Sequence, residues 1–172
     1  MTTTGPGGVF ARINRGVTGP PACVRSSLTV HVGPDAVPLS PEESRKLLYG
    51  PRRDSVLGAA VWRQALAEAR LEPRDGDGAG RLFVVWLALP GLYRNLHRIL
   101  RRWPVDQADL EAEAVLAVLA AVDAMDPEDP DPGLRLIKEA VNTMWAYAKR
   151  VTREIPSSTS APSPRPATPP PH

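Results

Sequence analysis

Apolar positions recur at helical spacing through the middle of this chain and thin out toward both ends. In "SPEESRKLLYG" (40–50), Ser40 stands where an N-cap belongs, Pro41 at the first helical position, Glu43 where it closes a capping box, and Gly50 at the stop. Asp54 is placed to cap a second helix, 55–72, with Leu57, Val61, Ala65 and Leu66 on one side. "PRDGDGAG" (73–80) reads as a flexible break. A third helix follows over 81–103, kinked at Pro90, where the backbone loses a donor. The fourth spans 105–123. The fifth, 133–155, has Asp131 as N-cap and Pro132 in its first turn. Its Leu134, Ile137, Val141, Met144, Ala148, Val151 and Ile155 predict one continuous apolar seam.

These elements predict an all-α fold, a small bundle of about four to five helices over residues 40–155. Residues 1–39 are rich in Gly, Pro, Thr and Arg and are expected to be mostly disordered, with "SLTVHV" (27–32) the one strand-like alternation. The tail 156–172 has seven prolines in seventeen residues and is expected to be extended and disordered. At 172 residues the chain has room for one domain plus tails.

Charge changes the picture more than composition does. The net charge is only +2, yet residues 105–131 hold nine acids and no Lys or Arg. A basic body carrying one acidic helix and loop has the means to meet two different partners. The lone Cys23 excludes an intramolecular disulfide. No stretch reads as a signal peptide, and the longest apolar run, 82–93, is too short for a membrane span and contains Pro90. A cytoplasmic protein without a membrane partner is expected.

The fourth helix, "VDQADLEAEAVLAVLAAVD", puts its acids in its first two turns. Asp106 suits the N-cap, and Asp109 the first turn, where each carboxylate meets the positive helix end for about 0.3–1 kcal/mol. Glu111 and Glu113 lie beyond the reach of that effect and find no local role. Downstream the helix is apolar nearly all round, which predicts the central position in the bundle.

The candidate chemistry is cationic. Arg94, Arg98, Arg101 and Arg102, with His97 among them, gather on one side of the third helix. On the fifth, Lys138, Asn142, Lys149 and Arg153 form a polar-basic stripe bordered by Trp145, with Arg150 beside it. Cations next to an aromatic ring suit phosphate contact and base stacking. The same residues also read as a solvated face, with Trp145 flanking the core and the last cations complementing the helix dipole. Nothing supports catalysis. His31, His97, His172 and Cys23 have no metal-ligand spacing, so no metal site or cofactor is expected. "GDGAG" lacks the preceding strand and following Gly-Lys of a phosphate cradle. Glu111 and Glu113 stand two residues apart on different sides of a helix and make a poor acid/base pair. Trp62, Trp86, Trp103 and Trp145 read as core.

The stretch "LYRNLHRILRRWPVDQADLEAEAVLAVLAAVD" resembles region 2 of the sigma-70 family of bacterial transcription initiation factors. An Arg- and Leu-rich helix is followed there by a turn and an acidic helix start of the type Asp-x-x-Asp-Leu-x-x-Glu-Ala, matched by Asp106, Asp109, Leu110, Glu113 and Ala114. "VNTMWAYAKR" (141–150) resembles the later helix that carries Asn, aromatics and a terminal Arg. The resemblance covers about residues 90–153, with Ala112 where the family usually has Gln. It implies that Asp106, Asp109 and Glu113 dock on RNA polymerase core. It implies also that Lys138, Asn142, Trp145, Lys149 and Arg150, joined by Arg94, Arg98, Arg101 and Arg102, face DNA. No second helix-turn-helix domain (the family's region 4) is expected after Ile155, so reading of a −35 element is not implied. The expectation is a non-enzymatic, transcription-related binding protein. The alternative is a helical protein–protein adaptor with no nucleic-acid role, its proline-rich tail a docking site.

Overall fold

The computed structural model describes residues 7–19, 27–126 and 128–154. Their order is α1 (Val9–Thr18), β1 (Leu28–Val32), β2 (Asp35–Leu39), α2 (Pro41–Tyr49), α3 (Ser55–Leu71), α4 (Ala79–Arg102), α5 (Gln107–Ala124) and α6 (Pro132–Glu154). The all-α expectation holds in outline, with one more helix than foreseen and a hairpin added.

The apolar run after Leu82 becomes the helix around which the others pack. Phe83, Val84, Val85, Trp86, Leu87, Ala88 and Leu89 are buried in succession, which a helix achieves only when covered on every side. The central helix is therefore α4, not α5 as its sequence predicted. On α5, Leu110, Ala114, Val118 and Val122 are fully buried, whereas Leu116 is 62% exposed. An all-apolar sequence permits a central place, but Ala-rich turns give too little bulk to require one.

The starts of these helices were legible. Ser40 accepts from the Glu43 amide and Glu43 accepts from the Ser40 amide, a closed capping box. Asp54 accepts from the amides of Val56 and Leu57, Asp106 from that of Asp109, and Asp131 from that of Leu134. The start of α4 is capped locally by Asp77, which accepts from the Ala79 amide at 3.1 Å, and also from farther off. Its N-cap Gly78 has φ +72° and no side chain, and Glu72 at the end of α3 accepts from the amides of Gly80 and Arg81.

Within 1–39 the described residues correct the expectation of disorder: Phe10, Ile13 and Val17 line the buried face of α1, and Leu28, Val30 and Leu39 bury the hairpin's inner side. A ten-residue helix is marginal alone, so its order comes from tertiary contact with α4 and α5, which composition does not reveal. The hairpin turns at Gly33, φ +59°, between the paired Val32 and Asp35. Residues 1–6, 20–26 (with Cys23), Ile155 and the proline-rich segment 156–172 lie outside the described residues.

The seam of α6 also differs. Leu136, Ala140, Met144 and Ala148, spaced by four, are the fully buried line, while Leu134 is 65% exposed and Ile137, Val141 and Val151 are half-buried. The predicted seam favoured bulk over position and passed over Gly133 and Ala140, both buried. A Cβ on Gly133 would overlap the Trp62 indole of α3.

Helix directions follow from the contacts. Arg81, early in α4, pairs with Asp123, late in α5, at 2.6 Å, so these two run antiparallel. Ala117, Ala121 and Met125 of the α5 side share a groove with Arg135, Glu139 and Thr143, so α6 is antiparallel to α5 and runs with α4. No helix among the described residues is long and apolar enough to cross a membrane.

Candidate functional site

The acidic start of α5 divides into residues with internal work and residues without it. Asp106 is exposed but committed as the cap of its own helix. Glu111, left unassigned by the sequence, is 2% exposed; its Oε2 accepts from the Phe10 amide at 3.1 Å and its Oε1 from Gln107 Nε2 at 2.8 Å. It caps α1, whose own N-cap residue Gly8 offers no side chain. Asp109 and Glu113 lie on the other side of α5, beside the Tyr147 hydroxyl of α6. Burial first, and then these two carboxylates, raise the Tyr147 pKa above its ordinary value.

The cations follow helical periodicity. Arg94, Arg98 and Arg102 share one exposed face of α4 at steps of four. Lys138, Asn142 and Lys149 share one exposed face of α6, with half-buried Trp145 along its edge. Gly91 of α4 packs on Ile137 of α6, where a Cβ would stand 3.1 Å from Cδ1 and Cγ2. Because the helices run together, Arg98 and Arg102 stand level with Met144 and Ala148, about two and three turns beyond that contact. Arg98 and Arg102 thus lie on the α4 side of the groove between α4 and α6, whereas Lys138, Asn142 and Lys149 stand about 100–140° around α6 from Ile137, on its outer side. None of Arg94, Arg98, Arg102, Lys138 or Lys149 has an ion-pair partner among the described residues, where the pairs are Arg81–Asp123 and Arg135–Asp129.

Two candidates stand apart from that groove. Arg101 turns back along its own helix, its Nε donating to the His97 carbonyl at 3.3 Å. Arg150 lies over the Tyr147 ring, 5.4 Å from the centroid, on the flank that faces Asp109 and Glu113. Arg150 also lines a shallow concavity with Lys149 and Arg153, so it joins the cations of α6 to the acidic pair beside Tyr147. Trp145 packs against the core with its outer part exposed.

A second polar constellation was missed from the sequence. Pro90 has no N–H, so the Trp86 carbonyl one turn earlier has no helical donor. Arg45 of α2 fills that vacancy: its Nη2 donates to Trp86 O at 2.6 Å, and its guanidinium lies 3.7 Å from the Trp86 ring centroid. One turn on in α2, the Tyr49 hydroxyl donates to the Leu87 carbonyl at 2.8 Å. Asn14 of α1 accepts from Trp86 Nε1 at 3.0 Å and more loosely from Arg45 Nη1 at 3.4 Å. The available signal was Pro90 itself: a proline inside a buried helix calls for an outside donor.

Among the described residues no group of three or more His, Cys, Asp or Glu is placed to hold a metal ion. No family model, no curated protein and no solved structure matches this chain.

Proposed function

We propose that this chain is a transcription-related binding protein whose α4–α6 unit acts as a sigma region 2-like module. Arg94, Arg98, Arg102, Lys138 and Lys149 contact DNA phosphates, and Asp109 and Glu113, with Asp106 at their edge, contact RNA polymerase core. The observation that carries the reading is the two exposed cationic rows of α4 and α6, which have no ion-pair partner among the described residues. Cations without internal partners retain their full charge for an external polyanion. Half-buried Trp145 beside Lys149 offers an edge for a base rather than a full stacking platform.

The test has two arms. Fluorescence anisotropy of labelled promoter DNA is expected to give affinity that falls with salt, by about 0.9 in log–log slope for each phosphate engaged in duplex or about 0.7 in single strands. Arg98→Glu with Lys149→Glu is expected to flatten that slope. Pull-down of bacterial RNA polymerase core is expected to succeed with the wild type and fail with Asp109→Lys plus Glu113→Lys, with helicity by circular dichroism unchanged. A chain that binds neither DNA nor polymerase core overturns the proposal.

A second reading has its own observation. Exposed Leu116 and Leu134, with a groove of about 350 Å³ between α5 and α6 lined by Ala117, Ala120, Ala121, Ala124 and Met125, suit a protein–protein adaptor. Partner capture abolished by Leu116→Asp, without any DNA binding, would select it.

A further inference from the structure

Between α1, α2 and α4 lies a cleft of about 460 Å³. Its apolar lining is Ala11, Leu89 and Pro90; its polar lining is Asn14, Arg15, Arg45 and Tyr93. Among the described residues two guanidinium groups and no carboxylate line it, although the Glu111 carboxylate is near enough to Tyr93 to help raise its pKa, after burial. Arg45 is half-buried, and its contacts are all neutral: the Trp86 carbonyl, the Trp86 ring and Asn14 Oδ1. Burial holds its pKa below the ordinary guanidinium value, and the titratable groups beside it are the phenols of Tyr49 and Tyr93, neutral near pH 7, rather than an acid. A partly desolvated cation without a counter-charge is costly, and an incoming anion relieves it.

The remaining donors have the same sign. Asn14 Oδ1 is engaged by Trp86 Nε1 and Arg45, which leaves its Nδ2 as an unused donor. The Tyr93 hydroxyl has no hydrogen-bond partner among the described residues, and its ring is fixed edge-on against Phe10 at 5.0 Å. Arg15 is exposed at the cleft and has no ion-pair partner among the described residues.

We propose that this cleft binds a small phosphate monoester, with the dianionic head between Arg15 and Arg45 and the organic part against Leu89, Pro90 and the Tyr93 ring. Two guanidinium groups match a dianion in charge; Arg15 offers its whole fork, and Arg45 offers the Nη hydrogens not used by the Trp86 carbonyl and Asn14. This site is separate from the α4–α6 groove, and it stands whether or not that groove binds DNA. The monoester has two possible sources, a free small molecule or the phosphorylated end of a nucleic-acid strand.

Isothermal titration of the full chain with phenyl phosphate tests the proposal. Saturable one-to-one binding is expected, with benzoate weaker. Arg45 also supports α4, so the deciding variants are Arg15→Ala and Tyr93→Phe, which leave the packing in place. Arg15→Ala is expected to weaken binding about tenfold or more, the loss typical of a charge-assisted contact, with Tm unchanged. Tyr93→Phe is expected to weaken it by a smaller factor. Competition by a 5′-phosphorylated oligonucleotide, but not by the same strand without its phosphate, supports the proposal and identifies the strand end as source. Absence of saturable binding, affinity indifferent to Arg15→Ala, or displacement by the unphosphorylated strand overturns it.

Discussion

The amide of Phe10 donates to Oε2 of Glu111 across 3.1 Å, tying together residues 101 positions apart. One buried carboxylate thereby joins the first helix to the fifth. Gly8 is part of the same device, since a Cβ there would overlap the Glu111 carboxylate. Phe10 then closes the joint from the other side, fully buried against Tyr93 of α4.

Glu111→Ala is therefore expected to destabilise the fold by roughly 2–3 kcal/mol, because it leaves the Phe10 amide buried without an acceptor. Glu111→Gln keeps one acceptor oxygen and is expected to lose about half as much. Urea unfolding, read as a shift in midpoint at constant slope, measures both. Hydrogen exchange locates the effect, with protection lost first in α1. Wild-type protection of α1 in the Glu111→Ala chain would show that the carboxylate does not hold that helix.

Local rules were enough to place Ser40, Asp54, Asp106 and Asp131, because a cap and the amide it serves lie within three residues of each other. Glu72 serves an amide eight residues on, past the reach of a local cap rule, and Glu111 serves one 101 residues away, which no sequence window contains. The cationic rows were legible for the same reason as the caps: steps of four along one helix fix a shared face. Which side of each helix meets its neighbour was not, since it depends on contacts between helices such as Gly91–Ile137.

Two glycines give substitutions of opposite sign. Gly16 sits inside α1, where a Cβ would meet only Leu82 Cδ2 at 3.7 Å, ordinary contact. Gly16→Ala is expected to stabilise by up to about 1 kcal/mol, through helix propensity and a less flexible unfolded chain. Gly133→Ala has the same helical benefit but drives a methyl into the buried Trp62 indole, and a net loss of about 1–3 kcal/mol is expected. Thermal midpoints measured side by side decide it. A rise for both would mean that α6 slides off Trp62 at no cost.

Alkaline pH is expected to unfold the protein through its tyrosines. The chain has three, Tyr49, Tyr93 and Tyr147, and each has its pKa raised, in every case chiefly by burial. Tyr49, its hydroxyl donating to the Leu87 carbonyl, is pushed up to about 12 from 10.0. Below pH 10 both folded and unfolded chains hold these protons, and stability does not depend on them. Between 10 and about 12 the unfolded chain releases them first, so it binds fewer protons and stability falls as pH rises. Tyrosinate absorbance at 295 nm is expected to lag behind that of the urea-unfolded chain. Coincident titrations would mean that no hydroxyl is held in the fold.

The Arg45–Pro90 arrangement predicts a coupling, which is a stricter test than a single loss. Arg45→Met removes the donor to the Trp86 carbonyl, and that carbonyl has no helical amide to fall back on, so about 1–3 kcal/mol is expected to be lost. Pro90→Ala restores an amide in the right place, one turn after Trp86. In that background the same Arg45→Met change is expected to cost at least about 1 kcal/mol less, because the helix now satisfies its own oxygen. The four urea midpoints of the double-mutant cycle give the coupling directly. Energies that add to within about 0.5 kcal/mol would show that the guanidinium is not standing in for the missing amide. Arg45 would then be held in place by its stacking on Trp86, 3.7 Å from the ring centroid, and the carbonyl contact would contribute nothing measurable.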